Sequence, residues 1–238
     1  MRSWKSIWIR RKSVLKIFDK TFDTSLYFIT DSTGFSEEEF LHRVEDALQG
    51  GVTIMQLREK DKSTREYLSL ALKVHALAKK YGVPLIIDDR MDVAMAVDAE
   101  GVHLGQSDMP VGIARQILGD NKIIGATAKT VEQAKEAYEQ GADYLGVGAI
   151  YPTTTKVKTI LTSTDTLRDI CSAVPIKVNA IGGLNKDNID VLQGIPIDGI
   201  CVVSAIMKAE SPRQAAVELS ARARELGITR TRGRFCVL

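Results

Sequence analysis

Cysteine is scarce in this chain: three in 238 residues, Cys171, Cys201 and Cys236, widely scattered and with no CxxC pair. That excludes a disulfide framework or a zinc site built on cysteine pairs, and reads as reduced thiols in a cytoplasmic protein. No apolar run approaches the ~20 residues that a membrane-spanning helix needs. Charge of one sign is lacking too: 32 basic and 30 acidic residues leave a net +2, which implies neither nucleic acid nor a membrane as partner. Also missing is a Gly-rich dinucleotide fingerprint. The first β-rich run, Leu26 to Thr30, is followed by Asp31-Ser32-Thr33-Gly34.

Acids are absent from the first sixteen residues, MRSWKSIWIRRKSVLK. A secretory signal needs a longer apolar core than Ile7-Trp8-Ile9, and composition alone leaves a transit peptide open. The preferred reading is a basic, solvated leader running into a preliminary helix at Val14 to Phe22, together residues 1–25. Near the other end, Cys236 lies one place short of a prenylation box, in a tail covering 226–238.

What is present is ordinary globular material, 45% hydrophobic and 26% charged, enough for one sizeable core. Between 26 and 225 the chain repeats one pattern. A short apolar run of strand character ends in polar residues, and an amphipathic segment follows. The runs are Leu26 to Thr30, Val52 to Leu57, Leu85 to Asp88, Gly101 to Leu104, Lys122 to Ala126, Tyr144 to Gly148, Ile176 to Ala180 and Gly199 to Val203. Helical segments are expected at about 36–49, 63–81, 111–118, 131–140, 163–172, 186–193 and 211–225, the first two opening on hydroxyl caps at Ser36 and Ser63. Short apolar strands alternating with helices indicate parallel β/α architecture with both sheet faces covered. Eight such units predict a single (β/α)8 TIM barrel over 26–225, close to the ~250 residues typical of that fold.

Active sites of such barrels lie at the C-terminal ends of the strands. Here those ends carry Arg58 and Lys60, the acids Asp88, Asp89 and Asp108, the hydroxyls of Thr127, Thr153 and Thr155, then Lys156, Gly182-Gly183 and the Val203-Ser204 turn. Carboxylates at the ends of successive strands suit a hard cation such as Mg²⁺. Lysines and arginine beside it suit a diphosphate, whose charge they offset as it departs. The Gly-Gly turn and Ser204 match the usual barrel site for a phosphate group. Each feature has a plain alternative: Asp88-Asp89 as a helix cap, Gly182-Gly183 as a tight turn, Lys156 as surface charge. His42 and His75 fall on helices and are expected at the surface, and His103 reads as a satisfied core histidine.

Seven motifs then carry a resemblance. They are Gln56-Leu57-Arg58-Glu59-Lys60, Asp89-Arg90 with Asp92-Val93-Ala94, Gly101 to Gln106 with Asp108, Gly141-Ala142-Asp143-Tyr144, Tyr151 to Lys156, Ala180 to Gly183, and Val203 to Ile206. In this order the chain resembles the thiamine phosphate synthase family from about residue 26 to 210. The resemblance implies a transferase that joins a hydroxymethylpyrimidine diphosphate to a thiazole phosphate, giving thiamine phosphate and diphosphate. It implies small-molecule substrates and leaves a homo-oligomer open.

By the same resemblance Gln56, Arg58 and Lys60 would hold the pyrimidine diphosphate, and Leu57, Glu59 and Asp88 count among the substrate-binding residues. Asp89 and Asp108 would bind Mg²⁺, and Thr127 and Lys156 would contact the pyrimidine substrate. Thr153, Thr154 and Thr155 would face the thiazole phosphate and the leaving group, with Gly183, Val203 and Ser204 receiving its phosphate. Arg58, Lys60, Thr127 and Lys156 are the expected catalytic groups. Asp88 stands where the family usually has Asn, and Thr127 where Ser is common. The rival readings are a thiazole tautomerase relative, which needs no metal, and a non-catalytic thiamine-phosphate-binding barrel.

Overall fold

A computed structural model describes residues 21–153 and 161–228. Eight parallel strands close into a barrel in sequence order: β1 (Leu26–Ile29), β2 (Ile54–Leu57), β3 (Leu85–Asp88), β4 (Gly101–Leu104), β5 (Ile123–Ala128), β6 (Tyr144–Gly148), β7 (Lys177–Ile181) and β8 (Gly199–Val202). Pairing of β1 with β8, Tyr27 opposite Cys201, completes the ring. Around it lie α1 (Glu37–Gln49), α2 (Thr64–Lys80), α3 (Met91–Ala96), α4 (Val111–Leu118), α5 (Val131–Glu139), α6 (Thr164–Ala173), α7 (Ser204–Met207) and α8 (Pro212–Glu225). The expected TIM barrel is the fold observed.

Successive strand residues point to opposite faces, so each strand divides its side chains between two apolar layers. Leu26, Phe28, Met55, Leu57, Leu85, Ile87, Leu145 and Val147 pack outward against the helices. Tyr27, Ile29, Ile54, Ile86, Ile123, Tyr144 and Cys201 form a smaller inner cluster, with Phe22 packed against it. Glycine makes the inner layer possible. A Cβ on Gly125 would lie 2.0 Å from the Tyr144 ring, so Gly125 is what lets Tyr144 lie across the barrel interior.

Local chemistry sets the helix starts. Ser36 Oγ accepts from the Glu39 amide at 3.2 Å, with Glu37, Glu38 and Glu39 in the first turn favouring the positive end of the helix dipole. Ser63 and Glu66 cap each other reciprocally at the start of α2.

Two expectations change, and two more fall largely outside the described residues. The helical segment expected at 186–193 is only a short 3₁₀ turn, Ile189–Leu192. Asn185 and Asn188 divert the local hydrogen bonds: Asn188 Oδ1 accepts from the Asn185 amide at 2.8 Å while its Nδ2 donates to the Gly183 carbonyl at 2.8 Å. His75 is buried, not at the surface, because it falls on the inward stripe Tyr67, Leu70, Ala71, Val74, His75, Ala78 of α2, where Glu100 pairs with its ring at 3.2 Å. Of the preliminary helix, Val14 to Lys20 lie outside the described residues, and Thr21 and Phe22 are not helical. The tail from Thr229 also lies outside them, whereas Leu226 to Ile228 continue the fold, with Ile228 buried.

Candidate active site

The C-terminal ends of the strands open into a cavity of about 730 Å³, lined among others by Gln56, Arg58, Lys60, Asp88, Asp89, Asp108, Thr127, Thr153, Gly183, Val203 and Ser204. Eleven residues expected at the site from scattered points of the sequence therefore share one cavity. Its size falls within the range of small-molecule sites.

One wall is built from β2, β3 and the loop after β4. Lys60 Nζ donates to Asp88 Oδ2 at 2.8 Å and also contacts Asp89 Oδ2. Arg58 Nε lies 3.8 Å from the same Asp88 oxygen. Burial raises the pKa of Asp88, with the charge of Asp89 adding to it and the two cations opposing. For Lys60, burial works against the charge, but Asp88 and Asp89 outweigh it and raise its pKa. The acid standing in place of Asn is thus paired, with Lys60 and Arg58 facing it.

Asp89 adopts a left-handed backbone, φ 59°, at the turn between β3 and α3. That conformation is tolerated by Asp better than by bulkier residues. Its carboxyl interacts with that of Asp108, whose Oδ2 accepts from the Gly105 amide at 2.7 Å. Burial and then Asp89 raise the pKa of Asp108. Burial also opposes ionisation of Asp89, but the bonds from Lys60 and Asp108 prevail and lower its pKa. A cation held between the two carboxyls would offset their mutual repulsion.

That pair fits a divalent cation. Among the described residues no cluster of three or more His, Cys, Asp or Glu side chains forms a closed metal cage. Two carboxylates in an open cleft suit Mg²⁺, which keeps waters and completes its shell with substrate phosphates.

Across the barrel mouth lies a cradle of backbone amides. Gly182 and Gly183 have φ of 105° and 65°, and a Cβ at Gly183 would come within 2.7 Å of Tyr151 Cβ. The loop before it is tied down, with Ile150 N and Tyr151 N donating to the carbonyls of Ile181 and Gly182 at 2.9 and 3.0 Å. Val203 and Ser204 meet this turn from the end of β8, where Ser204 begins α7.

Not every expected residue arrives. Leu57 is fully buried in the outer layer between strands and helices, because it alternates with the inward Gln56. Glu59 turns away from the cavity: Ser32 Oγ donates to it at 2.7 Å, Lys62 lies 3.7 Å away, and burial pushes its pKa up. Neither side chain is brought to the cavity. Thr154, Thr155 and Lys156 lie outside the described residues.

The cavity also recruits residues that were not expected in its lining. Tyr27 and His103 form its floor, and Gln106, Lys129 and Gln133 part of its rim. His103 is satisfied, as expected, by Tyr144 OH and Thr127 Oγ1 at 3.0 Å each, yet it also faces the cavity. Lys129 stands two places after Thr127 on the same strand exit, and that spacing was the available signal.

A profile described as thiamine monophosphate synthase matches residues 26–206. The chain belongs to that family. It is 47% identical over 204 residues to the thiamine-phosphate synthase of Alkaliphilus oremlandii, covering 86% of this chain and 98% of the relative. Against thiamine-phosphate synthase 2 of Streptococcus pneumoniae the identity is 53% over 185 residues, 78% of this chain and 88% of that one. The solved structure of thiamine phosphate pyrophosphorylase from Pyrococcus furiosus superposes with a TM-score of 0.77 at 42% identity, covering 85% of this chain and 96% of that one. Among the described residues no helix is long and apolar enough to cross a membrane.

Proposed function

We infer that this barrel is a thiamine-phosphate synthase, a transferase that couples a hydroxymethylpyrimidine diphosphate with a thiazole phosphate and releases diphosphate. The observation that carries the reading is the placement of two anion-receiving regions in one cavity of a chain of this family. Arg58, Lys60, Asp89 and Asp108 stand on one side, and Gly183, Val203 and Ser204 on the other.

The chemistry asks little covalent work of the protein. Departure of diphosphate leaves a pyrimidinylmethyl cation stabilised by its electron-rich aminopyrimidine ring, and the thiazole nitrogen captures it. Arg58 and Lys60 hold the leaving group's charge where it develops, which is the most effective use of fixed cations. Thr127 and Gln56 orient the pyrimidine from the cavity floor. The amides at Gly183 and Ser204 fix the thiazole phosphate so that its ring faces the cation, and the enclosed cavity keeps water from it. Asp89 and Asp108 would hold Mg²⁺, which supplies further neutralisation of the diphosphate charge. Lys156, Thr154 and Thr155 belong to this proposal through the family resemblance. The buried free thiols Cys171 and Cys201 accord with a cytoplasmic setting.

A coupling assay tests the reading. Purified protein is given both substrates with and without Mg²⁺, and thiamine phosphate and diphosphate are quantified. Equal amounts of both products, abolished by a chelator, are expected. Folded protein that forms neither would overturn it. Chelator-insensitive isomerisation of the thiazole phosphate alone would bring the tautomerase reading forward.

A further inference from the structure

A line of hydrogen bonds crosses the barrel interior along the cavity. Gln56 Nε2 donates to Tyr27 OH at 2.9 Å, and Tyr27 OH lies 2.6 Å from Tyr144 OH. Tyr144 OH is 3.0 Å from His103 Nδ1, and His103 Nε2 is 3.0 Å from Thr127 Oγ1. The line joins β2, β1, β6, β4 and β5, and both of its ends, Gln56 and Thr127, open on the cavity.

Proton counting gives this line a direction. Tyr27 and Tyr144 are fully buried, and burial raises the pKa of both, so each keeps its one hydroxyl proton. A buried hydroxyl that fails to donate leaves a costly unsatisfied group. Tyr27 accepts from Gln56, so its own proton goes to Tyr144. Tyr144 then donates to His103 Nδ1, which must be bare. In the neutral ring the proton is on Nε2 and points at Thr127 Oγ1. The Thr127 hydroxyl, already accepting from His103, directs its proton away from the ring, toward the cavity.

We propose that Tyr144 and His103 are positioning residues that hold the Thr127 hydroxyl as an oriented hydrogen-bond donor to the pyrimidine diphosphate, so that an acceptor atom is required of the substrate at that point. The proposal rests on the synthase reading for the identity of the substrate, but not for the direction of the line. Bonds in series polarise one another, so the last donor is stronger than an isolated threonine hydroxyl.

Two measurements test this. In protein labelled with ¹⁵N-histidine, the His103 ring is expected to be protonated at Nε2 and bare at Nδ1, with His42 and His75 as internal references. Tyr144→Phe keeps the ring and removes the hydroxyl. It should release the single tautomer and lower kcat roughly tenfold, about the loss of one buried hydrogen bond. Thr127→Val should lower kcat at least as much, and adding Tyr144→Phe to it should cost nothing more.

A His103 protonated at Nδ1 in the parent protein would overturn the proposal. So would equal losses from Tyr144→Phe in the presence and absence of the Thr127 hydroxyl, which would mark Tyr144 as merely structural. The ring-nitrogen measurement needs no substrate. A protein that made no thiamine phosphate would sink the synthase reading while the tautomer was judged separately.

Discussion

Lys60, at the end of β2, donates from Nζ to Asp88 Oδ2, at the end of β3, over 2.8 Å. The same ammonium contacts Asp89, so one cation links two consecutive carboxylates at the mouth of the barrel. Replacing Lys60 with Met leaves Asp88 with only Arg58 at 3.8 Å and removes a charge aimed at the leaving group. Turnover should fall by roughly 10²- to 10³-fold, the usual cost of losing one preorganised charge partner. Steady-state kinetics at saturating substrates, with circular dichroism to confirm folding, would show it. Near-parental turnover would remove Lys60 from the mechanism.

Burial and the neighbouring Asp89 raise the pKa of Asp108, and a divalent cation held by the two carboxyls would offset that repulsion. Asp89→Asn should therefore shift the Mg²⁺ dependence of turnover to higher concentration. An unaltered Mg²⁺ curve would withdraw the metal assignment.

Asp88 offers a pH signature with a definite sign. Its pKa in the folded protein is raised above the ordinary value of 3.8. Folding thus favours its protonated form, a contribution fully present below that ordinary value and lost as pH rises through the raised one. Asp88→Asn does not titrate. The Tm of the variant should gain on the parent as pH increases from about 3.8 upward, then level off once the parent's carboxyl is ionised. If the parent instead gained on the variant, the ion pairs with Lys60 and Arg58 would outweigh burial.

Gly183 combines φ of 65° with a backbone that leaves no room, since a Cβ there would meet Pro152 O at 2.8 Å as well as Tyr151. Gly183→Ala should cost about 1–3 kcal/mol of stability, the usual range for a strained backbone. It should also raise KM for the thiazole phosphate more than for the pyrimidine diphosphate. An unchanged Tm together with an unchanged KM would contradict both the packing argument and the phosphate assignment.

The architecture and the roster of candidate residues were legible in local patterns of the chain. Alternating inward and outward residues, capped helices and polar strand ends are local patterns, written over a few consecutive positions. They survive intact from Ser36 and Glu39 at one cap to Lys60, Asp89 and Thr127 at strand ends. That the Leu57 and Glu59 side chains turn from the cavity also has a local reason, since alternation sends the neighbour of an inward residue outward.

Tertiary structure alone decided which of those residues meet. Nothing around Asp88 in the sequence says that barrel closure brings Lys60 and Arg58 to its carboxylate. Tyr27 and Tyr144 are 117 positions apart, and nothing in either neighbourhood announces that their hydroxyls lie 2.6 Å from each other. His75 had a helical pattern that did not say which face would be covered. Hydrogen-bond direction, charge pairing and burial depend on distances between strands, and those distances exist only once the ring is closed.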